Sequence, residues 1–180
     1  MSRTQSPFPT RHPLCLALLA GALLAPWLPS LAAADPAPPW EGAPFSADAR
    51  AMARAAAKVE SEEGDDVVVL LAEASYSYDA AGRETYSQRL VYKILAATAH
   101  ESWSTVEETW APWHQARPEI RARVITPDGA EHLLDRTTIT ENASAQGSPD
   151  MFEDGRVLRA PLPATRPGAV VEQQVIVRDQ

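Results

Sequence analysis

After Val67, apolar and polar residues alternate along most of the chain, a pattern that indicates β-strands rather than helices. The first run opens with five apolar residues, Val67–Leu71, and turns at the Gly-containing segment Asp79–Arg83. The return strand places its large apolar residues on one face: Tyr86, Leu90, Tyr92 and Ile94. Its polar residues lie on the opposite face: Thr85, Ser87, Arg89 and Lys93. A two-stranded hairpin is marginally stable in water, so further strands must pack on this one.

A second hairpin is predicted around Pro127-Asp128-Gly129. Proline fixes φ at about −65°, and glycine supplies the positive φ that such a turn needs. In the strand before the turn, the apolar face consists of Ile120, Ala122 and Val124. The opposite face carries Glu119, Arg121 and Arg123.

The same alternation predicts further strands at Trp103–Trp110, Ala130–Leu134, Arg156–Ala160 and Ala169–Val177. About seven short strands with Pro and Gly turns indicate a mainly β fold, an antiparallel β-sandwich-like domain over residues 67–180. The polar segment Asp135–Gly155 is expected to be a surface excursion.

Ahead of this domain the chain changes character three times. Residues 1–34 have a basic start, an apolar run and small residues before Asp35, which predicts a cleaved secretory signal peptide and hence an exported, periplasmic or secreted protein. Four prolines make residues 35–45 a stiff linker, and residues 46–62 are rich in helix formers, with Ser46 as the expected N-cap. After cleavage no membrane span is expected.

Charge and cysteine content exclude several functions. Without residues 1–34, which hold two arginines and no acid, 14 basic residues face 24 acidic ones, a net charge of −10. Such a chain repels nucleic acid. The lone Cys15 would leave with the signal peptide, so the mature chain has no cysteine nucleophile, disulfide or thiolate metal site.

Several blocks together resemble a known family. They are Trp110-Ala-Pro-Trp113, Ala122-Arg-Val-Ile-Thr-Pro-Asp-Gly129, Leu158-Arg-Ala-Pro-Leu-Pro163 and Pro167-Gly-Ala-Val-Val-Glu172. The region from Val67 to Val177 is similar to a bacterial β-domain of unknown function that precedes transglutaminase-like domains in exported proteins. The resemblance implies no catalytic residue in the β-domain itself. The chain ends before any transglutaminase-like domain, so that activity is not carried over, and a fragment of a longer protein is one alternative.

The densest aromatic cluster contains Trp103, Trp110, Trp113 and His114. Trp110, Trp113 and His114 are the candidate binding residues for a protein partner or a peptide or glycan ligand, because flat rings offer large contact area at small entropic cost. Core packing is the competing interpretation for these rings. No cofactor is implied, and no metal is expected because His100, His114 and His132 lack the spacing of metal ligands.

The chain is therefore predicted to be a non-catalytic domain that binds or positions a partner or substrate for a transglutaminase-like protein. If Val170–Val177 forms an open edge, it could pair with that partner by strand addition. The alternative is an acid/base hydrolase that uses Asp150, Glu153 and Asp154 in one loop.

Overall fold

The structure is a computed structural model that describes residues 37–144 and 154–180. The predicted signal peptide lies outside the described residues. Every strand pair is antiparallel, which confirms the predicted mainly β fold. Eight strands are present in the described part: β1 (Val67–Tyr78), β2 (Glu84–Ile94), β3 (Thr105–Trp110), β4 (Gln115–Ile125), β5 (Glu131–Leu133), β6 (Thr140–Ala143), β7 (Arg156–Pro161) and β8 (Val170–Asp179).

The helices are few and short. The α-helices are α1 (Ala49–Ala56) and α2 (His100–Trp103), and single 3-10 turns occur at Pro39–Glu41, Ala97–Ala99 and Arg136–Thr138. The N-cap of α1 is Asp48 rather than Ser46, and its carboxylate accepts a hydrogen bond of 2.8 Å from the N–H of Ala51. No helix in the described ranges is long and apolar enough to cross a membrane.

The strands form two sheets. The larger has the order β1-β2-β8-β4-β5, and the smaller has the order β3-β7-β6. The last strand, β8, is therefore central and is paired with β2 on one side and with β4 on the other. The prediction that Val170–Val177 is an open edge for strand addition is wrong, because both of its sides are occupied within the chain.

The eighth strand was not expected. Thr140–Ala143 lies inside the predicted polar excursion and pairs with β7 at the edge of the smaller sheet. All four of its residues are exposed, so its sequence lacks the apolar alternation that marks the other strands.

The main core fills the space between the two sheets. The larger sheet contributes its apolar face, including Tyr92, Ile120 and Val171, and the smaller sheet contributes Val106 and Leu158. These are the faces that the alternation assigns to the interior. Tyr92, which is fully buried, donates a hydrogen bond of 2.8 Å from its hydroxyl to the carbonyl of Trp103.

A second core lies on the opposite face of the larger sheet, beneath the N-terminal segment. Met52 and Ala56 of α1 are buried against Val91, Ile125 and Val170. Trp40, in the segment predicted as a linker, is buried in the same cluster. Residues 37–56 therefore pack on the sheet, and the larger sheet has both faces covered over its central part.

Candidate functional site

Three charged side chains are buried on the face of the larger sheet beneath the N-terminal segment. Glu172 is on the central strand β8, and Arg89 and Arg123 are on the neighbouring strands β2 and β4. Arg123 lies directly opposite Glu172 in the β4–β8 pair, whereas Arg89 lies diagonally, opposite Gln174. Glu172 is fully buried, and each arginine side chain is 4% exposed.

Each guanidinium binds one oxygen of the Glu172 carboxylate. Nε and Nη2 of Arg89 lie 3.0 and 2.7 Å from Oε1. Nε of Arg123 donates to Oε2 at 2.8 Å, and its Nη2 lies 2.7 Å from the same oxygen in an ion pair that lacks hydrogen-bond alignment. Such short, two-point contacts offset the large cost of removing three charges from water.

Two further carboxylates flank this ion network. Nη1 of Arg123 donates to Glu131 at 2.7 Å, and Nη1 of Arg89 lies 3.4 Å from Glu73. Burial opposes the charge of Arg123, but the hydrogen bonds that it donates to Glu131 and Glu172 outweigh this cost and raise the pKa of the guanidinium. Each member of the network therefore lies within ion-pair distance of a group of opposite charge.

A short backbone segment, Gly42–Phe45, crosses the network; we call it the strap. Arg89 Nη1 donates to the carbonyl of Gly42 at 2.7 Å, and the N–H of Phe45 donates to Glu172 Oε1 at 2.8 Å. The Phe45 ring lies over the guanidinium of Arg121, 4.5 Å from its carbon to the ring centroid. Phe45 has a φ of +59°, a conformation that β-carbon sterics disfavour. The ion network therefore holds a strained strap against the sheet.

The predicted aromatic cluster is divided between the core and the surface. Trp103 and Trp110 pack against the main core, and the ring of Trp103 lies 5.0 Å from that of Tyr92. Trp113, in the turn between β3 and β4, is 75% exposed and stacks on His114 with a centroid distance of 3.9 Å. Trp113 is therefore the most exposed ring of the cluster, and the binding role of Trp110, Trp113 and His114 stays a prediction.

Two buried nitrogens in this region have no hydrogen-bond partner among the described residues: Nε1 of Trp110 and Nδ1 of His114. The turn is nevertheless anchored by Gln180, whose backbone N–H donates to the carbonyl of His114 and whose side chain donates to that of Pro112, both at 3.0 Å.

The predicted hydrolase loop lies mostly outside the described residues, which include Asp154 but not Asp150 or Glu153. Asp154 is exposed and stands 4.0 Å from Arg156. Among described side chains no group of three His, Cys, Asp or Glu residues could hold a metal ion.

One carboxyl group does have an altered environment. Glu108 shares the inward face of β3 with Val106 and Trp110, and burial raises the pKa of its carboxyl group. Its sequence neighbour Glu107 points the other way and pairs with Arg159 at 2.8 Å. Among the described residues no acid or base pairs with this carboxyl, whereas acid/base catalysis uses paired groups.

The free edge of the larger sheet is the remaining candidate surface. β1 has β2 on one side, and no described strand pairs with its other side. Its outer half, Ala72–Tyr78, is exposed throughout and carries one charge, Glu73. Tyr76 and Tyr78 are 61% and 65% exposed, and Tyr76 packs on Tyr86 of β2 with a centroid distance of 4.8 Å. We call Ala72–Tyr78 the hairpin edge.

Sequence reasoning missed the ion network because it placed Arg89, Arg123 and Glu172 on polar strand faces. One signal could have revealed it. The run Val67–Leu71 is apolar at consecutive positions, which is typical of a strand that is covered on both faces. If the sheet is covered on both faces, the face that carries its polar residues is also buried. Charged residues on that face must then be paired with one another.

These features define a class: an antiparallel two-sheet domain whose polar face is closed by its own N-terminal segment. The chain belongs to a family described as "Domain of Unknown Function with solved-structure structure (DUF3857)", whose model matches residues 80–180. The matched part contains the whole Arg89–Glu172–Arg123 network, whereas β1 and the strap lie before it. The expected resemblance to a domain of unknown function is confirmed.

Among solved structures, the chain is similar to a "putative protease" from Parabacteroides distasonis, with a TM-score of 0.58 and 13% identity. The match covers 64% of this chain and 23% of the Parabacteroides protein, so the chain spans about a quarter of that protein's length. At this identity the similarity concerns the fold. No curated protein matches the chain.

Proposed function

We propose that this chain is a non-catalytic, exported β-domain that binds or positions a partner or substrate for a protein with a transglutaminase-like or protease domain. The observation that carries the proposal is the hairpin edge: seven exposed residues at the border of a sheet with one charge among them. Sheet edges in monomeric proteins are normally blocked by charges, prolines or covering segments. An edge left open in this way suits the addition of a strand from another domain.

The side chains of the hairpin edge favour the same function. Tyr76 and Tyr78 present large rings with a polar end, the residue type that is enriched in protein interfaces. The Tyr78 hydroxyl donates a hydrogen bond of 2.8 Å to Glu84, and this bond and the carboxylate charge raise the pKa of the hydroxyl. The backbone would supply affinity, and the two tyrosines would supply selectivity.

The non-catalytic part of the proposal is supported by the pairing of the buried charges. The two buried arginines of the ion network are paired with Glu172 and with Glu131 and Glu73 at its border, and the network holds the strap. No described acid or base pairs with Glu108. The transglutaminase-like association is supported by the sequence blocks around Ala122–Gly129 and Pro167–Glu172, and a protease association by the Parabacteroides protein's name.

Site-specific photo-crosslinking in the native cells tests this function. Benzoylphenylalanine replaces Tyr78 on the hairpin edge, Trp113 in the aromatic turn, or Lys58 beyond α1 as a control position. We expect a crosslink from position 78 to a domain of transglutaminase-like or protease fold, within the same polypeptide or in a separate one. The intact mass of the native protein distinguishes these two cases.

Variants that add positive charge to the hairpin edge, with a control that adds it elsewhere, test whether the edge itself is the binding surface. Ser75→Lys with Ser77→Lys should abolish the crosslink, because two cations obstruct an incoming strand. Gln88→Lys, which adds charge to the neighbouring strand β2, should leave it intact. A crosslink from position 113 but not from 78 would move the interface to the aromatic turn, and crosslinks to no such domain would refute the proposal.

A further inference from the structure

Two arginines near the β5 edge of the larger sheet have no acidic partner among the residues that the structure describes. Of the twelve arginines in the described ranges, eight lie within 4.0 Å of a carboxylate. The four without such a partner are Arg50, Arg54, Arg121 and Arg136. The first two are solvated on α1, but Arg121 and Arg136 line one and the same cavity.

The cavity has a volume of about 390 Å³, within the range of small-ligand sites. The cavity lies where β5 ends. β5 pairs with β4 along Arg123–Ile125, and the N–H of Leu134 donates to the carbonyl of Ala122. Before Ala122, no described strand pairs with this side of β4. Its lining also includes Leu133 and the mostly buried core residues Leu134 and Ile120. Leu133 is 68% exposed, which is a large exposure for a leucine.

The charges around the cavity are unbalanced. Its one carboxylate, Glu131, already accepts a hydrogen bond of 2.7 Å from Arg123, and Arg123 is also bound to Glu172. Within the described part of the chain, the guanidiniums of Arg121 and Arg136 therefore remain as positive charges without a carboxylate partner, in a protein of net charge −8. An anion is the group that such a pair attracts.

Phe45 orients one of the two arginines. Its ring covers a face of the Arg121 guanidinium, and this stacking leaves the N–H groups at the rim of the planar group free to donate. Planar guanidiniums bind carboxylates through two parallel N–H···O bonds. Leu133, in the lining of the same cavity, would pack against an apolar group attached to that carboxylate.

We propose that this cavity binds an organic carboxylate that carries an apolar or aromatic group within a few bonds, such as the C-terminal residue of a peptide. The carboxylate pairs with Arg121 and Arg136, and the apolar group packs against Phe45 and Leu133. The site lies at the opposite border of the larger sheet from the hairpin edge. A failure of the function proposed above would therefore leave this proposal unaffected.

Isothermal titration and NMR chemical-shift mapping test the site on the whole exported chain. The probes are 3-phenylpropanoate, N-acetyl-Ala-Phe with a free carboxylate, and N-acetyl-Ala-Phe amide. We expect saturable binding of one or both carboxylates, with chemical-shift changes confined to the cavity residues, including Phe45, Arg121, Leu133 and Arg136. Tighter binding of the peptide acid would indicate a peptide terminus, and tighter binding of 3-phenylpropanoate would indicate a free organic acid. The amide should bind at least about tenfold more weakly, since it lacks the charged hydrogen bonds.

A pair of double variants separates the site from general attraction. Arg121→Gln with Arg136→Gln should weaken binding at least about tenfold. Arg50→Gln with Arg54→Gln removes the same charge from α1 and should leave binding unchanged. Both pairs are exposed, and a thermal melt verifies that each variant is folded. Equal losses in the two variants, equal binding of the amide, or no saturation with any carboxylate at 10 mM, roughly 2.7 kcal/mol of binding free energy, would overturn the proposal.

Discussion

The backbone N–H of Phe45 donates a hydrogen bond of 2.8 Å to Oε1 of Glu172, a residue 127 positions later in the chain. This bond joins the strap, which precedes the family-matched region, to the central strand of the larger sheet. The same oxygen accepts from Arg89, whose Nη1 binds the strap again at the carbonyl of Gly42. The N-terminal segment is thus part of the folded domain.

Replacement of Glu172 by glutamine should be among the most destabilising single changes in the domain. Two guanidiniums that are 4% exposed would lose their common counter-charge. We expect a loss of about 3 to 5 kcal/mol in the free energy of unfolding, the usual effect of breaking a buried ion pair. Urea denaturation followed by circular dichroism measures it.

A triple variant distinguishes unpaired charge from lost packing. Arg89→Met, Arg123→Met and Glu172→Leu together remove all three charges and keep similar volumes, so the triple variant should be more stable than Glu172→Gln alone. If the triple variant is no more stable than Glu172→Gln, the loss of stability comes mainly from the lost contacts with the strap and not from the unpaired charges.

Lys93 should stabilise the end of α1. Its Nζ donates to the carbonyl of Ala56, the last residue of α1, and to that of Val59, three residues further on, at 3.0 and 2.9 Å. Lys93→Met should cost about 1 to 3 kcal/mol, because both charged hydrogen bonds are lost. Lys58→Met, a change at an exposed lysine on the same segment, should cost less than about 0.5 kcal/mol in the same urea titration.

Gly129 and Gly82 offer a matched test of how closely α1 packs on the β4–β5 turn. Both have a φ of +81°, so alanine at either position carries the same backbone strain, about 1 kcal/mol. A Cβ at Gly82 meets nothing within 4 Å, whereas one at Gly129 would lie 2.6 Å from Cγ of Arg50. Gly129→Ala should therefore destabilise the domain by about 1 kcal/mol more than Gly82→Ala. Equal effects in thermal melts would mean that α1 moves aside freely.

The stability of the domain should depend on pH through Glu108. Burial raises the pKa of this carboxyl group in the folded state, so between the unfolded and folded pKa values the folded chain binds more protons. The contribution of Glu108 to the stability of the folded domain is therefore fully present below the pKa of the unfolded state, about 4.3. It is lost as the pH rises through the pKa of the folded state.

Glu108→Gln should remove this dependence. At pH 7 the variant should be more stable than the natural chain by about 0.5 kcal/mol, a modest gain because solvent still reaches the half-buried group. Near pH 4 the gain should vanish. Glu107→Gln, on the exposed face of the same strand, should show no such gain at pH 7, and a pH-independent gain for Glu108→Gln would contradict the assignment.

Local pattern was enough to locate most strands and one tight turn. The alternation around Tyr86–Ile94 and Ile120–Val124 assigned the interior face correctly, because side chains on a strand point to alternate faces whatever the strand order. Pro127-Asp128-Gly129 was likewise sufficient for the turn, and Gly129 has the positive φ that the turn requires. β6 was missed because a short, fully exposed edge strand needs no apolar residues.

What the sequence by itself determined is therefore the class of fold and the inward face of its strands, since both follow from local periodicity. The order of the strands depends on contacts between distant residues, and only the tertiary structure placed β8 in the centre and left β1 at the edge. The polar strand faces were equally ambiguous. Glu172 and Arg121 both occupy such faces, yet one is buried beneath the strap and the other lines an open cavity. The path of residues 37–56 across the sheet decides between these environments, and no local pattern encodes that path.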